Sequence, residues 1–359
     1  MNFYSAMQMD TIGLKHLIQT ATTKKEKRKY QFAFLLKNVL CALFAVVFIV
    51  FFNTFFGNNN SAVAVVIFCT LLSLRFVDFG YSLIQSIFSL FIIFFIMAIG
   101  THITQYTGLL LSVLLNFIFI FIIVILTCHN LLYSNHSIFV FGYLLIQGNP
   151  VSGKDFRLRI MEMFIGFLLC AIILYRNHRK TKYYRTLKYI LKEFHLTSFR
   201  SQWQLRISLG ITFALFLGQV LHLPRIMWIG IGAMSVLQPF SSDVKFRFST
   251  RIPFTIIGSI FFVIVYSLVP DSFHSTSGVF FGIVLGFCAT YQWKTVFNCF
   301  GALLMASSIY SLPYAVIFRI INNIIGCSFS YFFHSVFQKG LMFLLSHQEK
   351  HKDHGFVDC

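Results

Sequence analysis

Few side chains in this sequence could do chemistry, and those few stand in or beside long apolar runs. Glu162 is the one acidic residue well placed within such a run, three positions after Arg159, so on a helix the two share a face. An ionisable group inside a bilayer is costly and marks a functional site by default. Glu162 therefore reads either as a carboxylate that gains and loses a proton as its partners change, or as half of an ion pair locking the start of its helix. Arg159, Arg251 and Arg319 stand at or near the ends of apolar runs. A guanidinium can hold a carboxylate through two parallel hydrogen bonds, which makes these three apt ligands for an organic anion. The plainer alternative is that each snorkels to headgroups or caps helix carbonyls. Trp228 is either an interfacial anchor or a stacking surface for an aromatic ligand. Thr255 and Ser259 would offer hydroxyls to a cavity or bond back to their own helix.

Other chemistries find no footing. Gly153-Lys154 lacks the upstream glycine of a phosphate-binding loop, and no nucleophile elbow or pair of catalytic carboxylates is present. His102, His129, His136 and His274 read as loop residues without metal-ligand spacing. The eight cysteines form no CxxC or Cys/His pattern and suit small apolar packing positions. No metal, no cofactor and no enzymatic activity is expected.

The elements that must position these residues follow from composition. Of 359 residues, 57% are hydrophobic and 11% charged, with a formal net charge of +18 and a mean hydropathy of +0.76. A soluble domain carries roughly 25% charged residues, so this chain cannot cover a water-facing surface. A soluble enzyme, a disordered chain and a disulfide scaffold are excluded. Twelve apolar runs are visible, at 32–56, 61–74, 81–100, 108–128, 138–147, 160–175, 207–221, 226–238, 252–269, 278–291, 296–310 and 314–337. Several are shorter than the roughly 20 residues that cross a hydrocarbon core. The fold expected is all-α and polytopic, about twelve transmembrane helices as two parallel six-helix repeats.

Lys and Arg collect in Lys24–Lys29 and in 176–206, which places both segments, and hence both termini, on the cytoplasmic side of a cell membrane. Lys154, Arg157 and Arg159 then face outward, against the rule. The division expected is a basic N-terminus (1–31), a first membrane repeat (32–175), a basic connector forming an amphipathic helix (176–206), a second repeat (207–338) and a tail (339–359). The first 30 residues hold no apolar core of a cleavable signal. The positive charge reports topology and contact with anionic lipid headgroups, and no nucleic-acid partner is expected.

The halves share a motif. Arg159-Ile160-Met161-Glu162-Met163-Phe164-Ile165-Gly166 aligns with Arg319-Ile320-Ile321-Asn322-Asn323-Ile324-Ile325-Gly326 as R-I-x-[E/N]-x-x-I-G. Gly166, Gly258 and Gly326 would let helices approach closely. Pro239 and Pro253 bracket an expected inner turn, where a helix break would expose backbone groups to a cavity.

Trp228 opens a short run closing on Gln238-Pro239, and Arg251-Ile252-Pro253-Phe254-Thr255-Ile256-Ile257-Gly258 follows. With the R-x-x-[E/D/N]-x-x-I-G ends of both halves, this resembles the fusaric acid resistance and aromatic acid exporter family, of the same clan as the plant aluminium-activated malate transporters. The resemblance covers about residues 30–340 and is strongest over 203–330. Pro253 and Phe254 depart from the family's R-x-x-G-T-x-x-G pattern. The resemblance implies a gradient-driven exporter of a small organic carboxylate, aromatic ones included, working as a homodimer. Two alternatives stay open: a passive anion channel, and a non-transporting scaffold or accessory subunit in lipid or envelope-polymer handling.

Overall fold

Long apolar runs in a bilayer leave the backbone no hydrogen-bond partner but itself, and a helix satisfies every such group locally. The computed structural model describes residues 2–131 and 134–354; 82% of it is helix, with no strand. The helices are α1 (Phe3–Gln8), α2 (Thr11–Thr20), α3 (Lys24–Phe56), α4 (Ser61–Leu74), α5 (Leu83–Phe95), α6 (Thr101–Tyr106), α7 (Leu109–Thr127), α8 (His136–Gln147), α9 (Gly153–His178), α10 (Leu187–Lys192), α11 (Phe199–Val220), α12 (Met227–Val236), α13 (Ser241–Leu268), α14 (Asp271–Phe287), α15 (Tyr291–Ser307) and α16 (Leu312–His354). A π-helical turn, Ile96–Gly100, joins α5 to α6.

Each of the twelve apolar runs falls on a helix. Among the described residues, six helices are long and apolar enough to cross a membrane: Lys24–Phe56, Leu83–Tyr106, Leu109–Thr127, Gly153–His178, Ser241–Leu268 and Leu312–Phe343. They make this a multi-pass membrane protein. Asn58–Leu74, His136–Gln147, Met227–Val236 and Ser277–Phe287 are apolar but shorter. The connector is not one amphipathic helix: α9 continues to His178, α11 starts at Phe199, and only α10 lies between. Residues 355–359 of the expected tail, Cys359 among them, lie outside the described residues.

The described chain forms two compact units, one of residues 2–51 and 249–321, the other of 52–248 and 322–354. In the first, the N-terminal segment is folded. The Asp10 carboxylate caps α2 by accepting from the Gly13 amide at 2.9 Å, and α1 and α2 bury Ala6 and Leu14 against Tyr30, Ala33 and Phe34 of α3. Phe287 at the end of α14 meets Phe34 edge-on at 4.9 Å. Of the stretch that Pro239 and Pro253 bracket, the chain breaks at the Pro239 end, between α12 and α13, while helix α13 runs through Pro253 unbroken. Proline removes one backbone hydrogen bond, whereas a break in apolar surroundings would strand several. Farther along α13, Gly258 admits α15: a Cβ there would stand 2.7 Å from the Val296 carbonyl oxygen and 2.8 Å from its Cα.

In the second unit the short helices form the core. Every residue of α12 except Ile231 is buried, and α8 buries both its aromatic and aliphatic faces. Around them α4 packs on α8 and α9, α7 on α8 and α11, and α12 on α8 and α11. Hydrogen bonds between loops sort them into two ends. At one end Asn59 and Asn60 meet Asp155, and Arg225 meets Asn149. At the other, Asn135 donates to the Asp78 carbonyl at 2.7 Å, Tyr183 to the Asp78 carboxylate at 2.7 Å, and Gln204 to the Cys128 carbonyl at 3.1 Å. Helices α4, α8 and α12 each connect one end to the other.

Candidate functional site

The site lies at the first of those ends and begins with a turn. Gly57 takes φ +84° after α3, and the 3-10 turn Asn58–Asn60 brings two asparagines to the start of α9, where Asp155 occupies the first turn. There a carboxylate complements the exposed amides of a helix N-terminus. Asn59 donates to the Asp155 carboxylate at 2.7 Å and Asn60 to the Asp155 carbonyl at 3.1 Å.

One turn along α9, Arg159 is 2% exposed. Its Nε donates to Asn60 Oδ1 at 3.0 Å, and an Nη donates to the Asn149 carbonyl at 2.8 Å. Asn149 in turn accepts from Arg225 at its side-chain oxygen, at 3.1 Å. The Asn322 amide donates to the carbonyls of Pro224 at 2.7 Å and Arg225 at 3.2 Å. Arg159 and Asn322, one from each copy of the sequence motif, are therefore joined through Asn149 and Arg225.

Glu162 is 1% exposed, and neither carboxylate oxygen has a hydrogen-bond partner among the described residues. It forms no ion pair with Arg159, whose donors are turned to Asn60 and Asn149; the locking ion pair is not what holds this helix. An isolated carboxylate anion in a dry interior is among the most expensive groups a protein can bury, and its protonated form costs far less.

The motif glycines press on the short helices. A Cβ on Gly166 would collide with the Ile67 side chain of α4, and one on Gly326 with the Ile229 carbonyl oxygen of α12, with the Ile229 Cα 3.0 Å away. Trp228, next to Ile229, is 2% exposed; it is a buried residue of α12 and not an interfacial anchor. Gln238 and Pro239 stand at the opposite end of α12, where their carbonyls accept from Arg206 at 2.7 and 3.0 Å, and Trp203 donates to the Leu237 carbonyl at 2.9 Å. These bonds supply donors to the carbonyls just past the last turn of α12, where no further turn follows to satisfy them. Arg251, Thr255 and Arg319 belong to the first unit. There Arg251 donates to the Tyr291 hydroxyl at 3.3 Å, the Thr255 carbonyl accepts from Cys299 at 3.7 Å, and Arg319 is buried in α16.

Sequence reasoning missed a second polar group beside the π turn. Asn116 Oδ1 of α7 accepts from the Tyr143 hydroxyl and from Gln147, both at 2.7 Å, and Gln147 also reaches the Thr104 hydroxyl at 3.5 Å. Gln147 ends α8 two residues before Asn149, so one helix end carries both networks. π turns recur at functional sites. The only signal in the sequence was one asparagine, Asn116, among the apolar residues 113–126. The histidines also need correction: His102, His136 and His274 lie on α6, α8 and α14, with His102 stacked on Phe156 at 3.5 Å and His136 edge-on to Trp203 at 4.8 Å. Of the four, His129 alone is in a loop. No group of three or more metal-ligating side chains occurs among the described residues.

Residues 213–333 match the family model described as fusaric acid resistance protein-like. The resemblance read from the motifs holds over that stretch, which runs from α11 into α16 and includes Trp228, Gln238-Pro239, Arg251–Gly258 and Arg319–Gly326. Arg159 and Glu162 lie before it. No curated protein and no solved structure matches the chain.

Proposed function

We propose that this fusaric acid resistance-like membrane protein moves small organic carboxylate anions, aromatic ones among them, out across the cell membrane, with Glu162 as the proton-coupled group. The observation that carries the reading is the buried Glu162 carboxyl, without a hydrogen-bond partner among the described residues, on the helix that also presents Arg159. A group that is tolerable when protonated and expensive when charged changes the free energy of its surroundings each time a proton arrives or leaves. Arg159 is held in place by Asn60 and Asn149, which orients the rest of its guanidinium fork for a carboxylate. Arg251, Thr255 and Arg319 of the first unit and Trp228 of the second, all within the matched family segment, are proposed as further substrate contacts, each in its own unit.

Proteoliposomes test this. Purified protein should accumulate labelled benzoate-class acids in response to a pH gradient, and Glu162→Gln should lower gradient-driven accumulation at least about tenfold while still exchanging substrate down its own gradient. Wild-type accumulation by Glu162→Gln removes the proton role. Absence of flux for every acid in a broad panel removes the transport reading and favours a scaffold. Anion currents indifferent to Glu162 favour a channel.

A further inference from the structure

The end of the second unit away from Arg159 carries a groove of about 550 Å³ lined by Gln85, Phe88, Leu187, Lys188, Leu191 and Lys192. We infer that it seats one anionic phospholipid, the phosphate between Lys188 and Lys192 and an acyl chain on the outer face of α5. The inference stands apart from the transport reading.

The groove is built and not merely open. The Leu187 amide donates to Gln85 Oε1 at 2.7 Å, and the Ser82 amide donates to the Arg185 carbonyl at 3.0 Å, so the connector is fastened to the start of α5. Thr186 caps α10 by accepting from the Tyr189 amide at 3.3 Å. Lys188 and Lys192 are four residues apart and share a face, as do Leu187 and Leu191. None of the six lining residues is acidic, and Glu193 beside them is engaged by Arg200 at 3.0 Å. The floor continues into an apolar stripe: Ile84 is 78% exposed and Phe88 57%, with Phe91 and Phe95 exposed above them. Residues 84, 88, 91 and 95 fall on one helical face.

This combination selects the occupant. Two ammonium groups at a membrane surface attract an anionic headgroup, and a zwitterionic lipid would use them poorly. A soluble phosphate would not need the stripe. A lipid with both a net negative headgroup and an acyl chain uses every wall of the groove.

Native mass spectrometry of the full chain released from nanodiscs of equal phosphatidylglycerol and phosphatidylcholine tests the seat. One phosphatidylglycerol should be retained at least about tenfold over phosphatidylcholine, lost in Lys188→Gln/Lys192→Gln, kept in Lys188→Arg/Lys192→Arg, and kept in Lys180→Gln/Lys182→Gln, which removes equal charge outside the groove. Retention of both lipids alike, or equal loss in the two glutamine pairs, overturns a specific seat. Displacement by millimolar inorganic phosphate shows a soluble-anion site and overturns the lipid.

Discussion

Arg159 spends its hydrogen bonds on two neutral acceptors, and that choice governs what its removal does. Arg159→Gln leaves Asn60 Oδ1 and the Asn149 carbonyl without their donors, at about 1–3 kcal/mol each. The melting midpoint in detergent should fall accordingly, and a cleavage-free, correctly inserted Arg159→Lys should recover part of it. His129 supplies a pH-dependent test. It sits in a loop with Arg200 donating to Nδ1 at 2.8 Å, Arg185 approaching Nε2 and the Glu193 carboxylate 3.9 Å away. Burial first, and then the two arginines, push its pKa from 6.5 down to about 4, with Glu193 opposing. Below about pH 6.5 the unfolded chain takes up a proton that the folded loop refuses, so stability is full above that value and falls as pH drops toward about 4. Burial works against charge on Glu193, but hydrogen bonding by Arg200 holds it below the ordinary carboxylate range, so it stays ionised over most of that window. Melting midpoints against pH should show a shallower slope for His129→Gln. The placing of Arg159 and Glu162 on one helix face was legible as a spacing of three. The partners of Arg159 were not, because Asn60 lies 99 positions away and one asparagine in a loop of three carries no sign of what it will meet.

At the scale of elements, close approach and length do most of the positioning. Gly258 faces the backbone of α15 and Gly301 on α15 has nothing within 4 Å of an added Cβ. Gly258→Ala should therefore destabilise by about 1–3 kcal/mol through overpacking. Gly301→Ala should stabilise by about 0.5–1 kcal/mol, since alanine loses less backbone freedom in a helix. Thermal melts of the two variants side by side check both. The apolar runs located every core helix, because periodicity is irrelevant where all faces are buried or face lipid. They misjudged the connector, whose Leu187 and Leu191 look like part of a longer amphipathic helix until the polar contacts of Arg185 and Arg200 with His129 are seen. Pro253 misled for the opposite reason: local preference yields where a break would strand more groups than the proline does.

For the whole molecule, the loop contacts give the basic segments a testable geometry. Asp78, His129 and the connector gather at one end of the second unit; Asn59, Asp155, Asn149 and Arg225 gather at the other. Lys154 and Arg157 begin α9 at the end away from the connector, the placement that the charge rule alone made awkward. Single cysteines at Lys25 and Lys182 should react with an impermeant thiol reagent only after permeabilisation, and one at Asn58 from outside; reversed labelling inverts the assignment. The short core helices carry a further consequence. Helix α12 has 10 residues and rises about 15 Å, half of a hydrocarbon core about 30 Å thick. A membrane voltage falls across whatever low-dielectric layer separates the two aqueous faces, so where water reaches both ends of α12 the electric field along it would be about twice its usual strength. A carboxylate carried past α12 would cross nearly the full voltage within a few helical turns, and its flux should steepen with membrane potential as well as with pH.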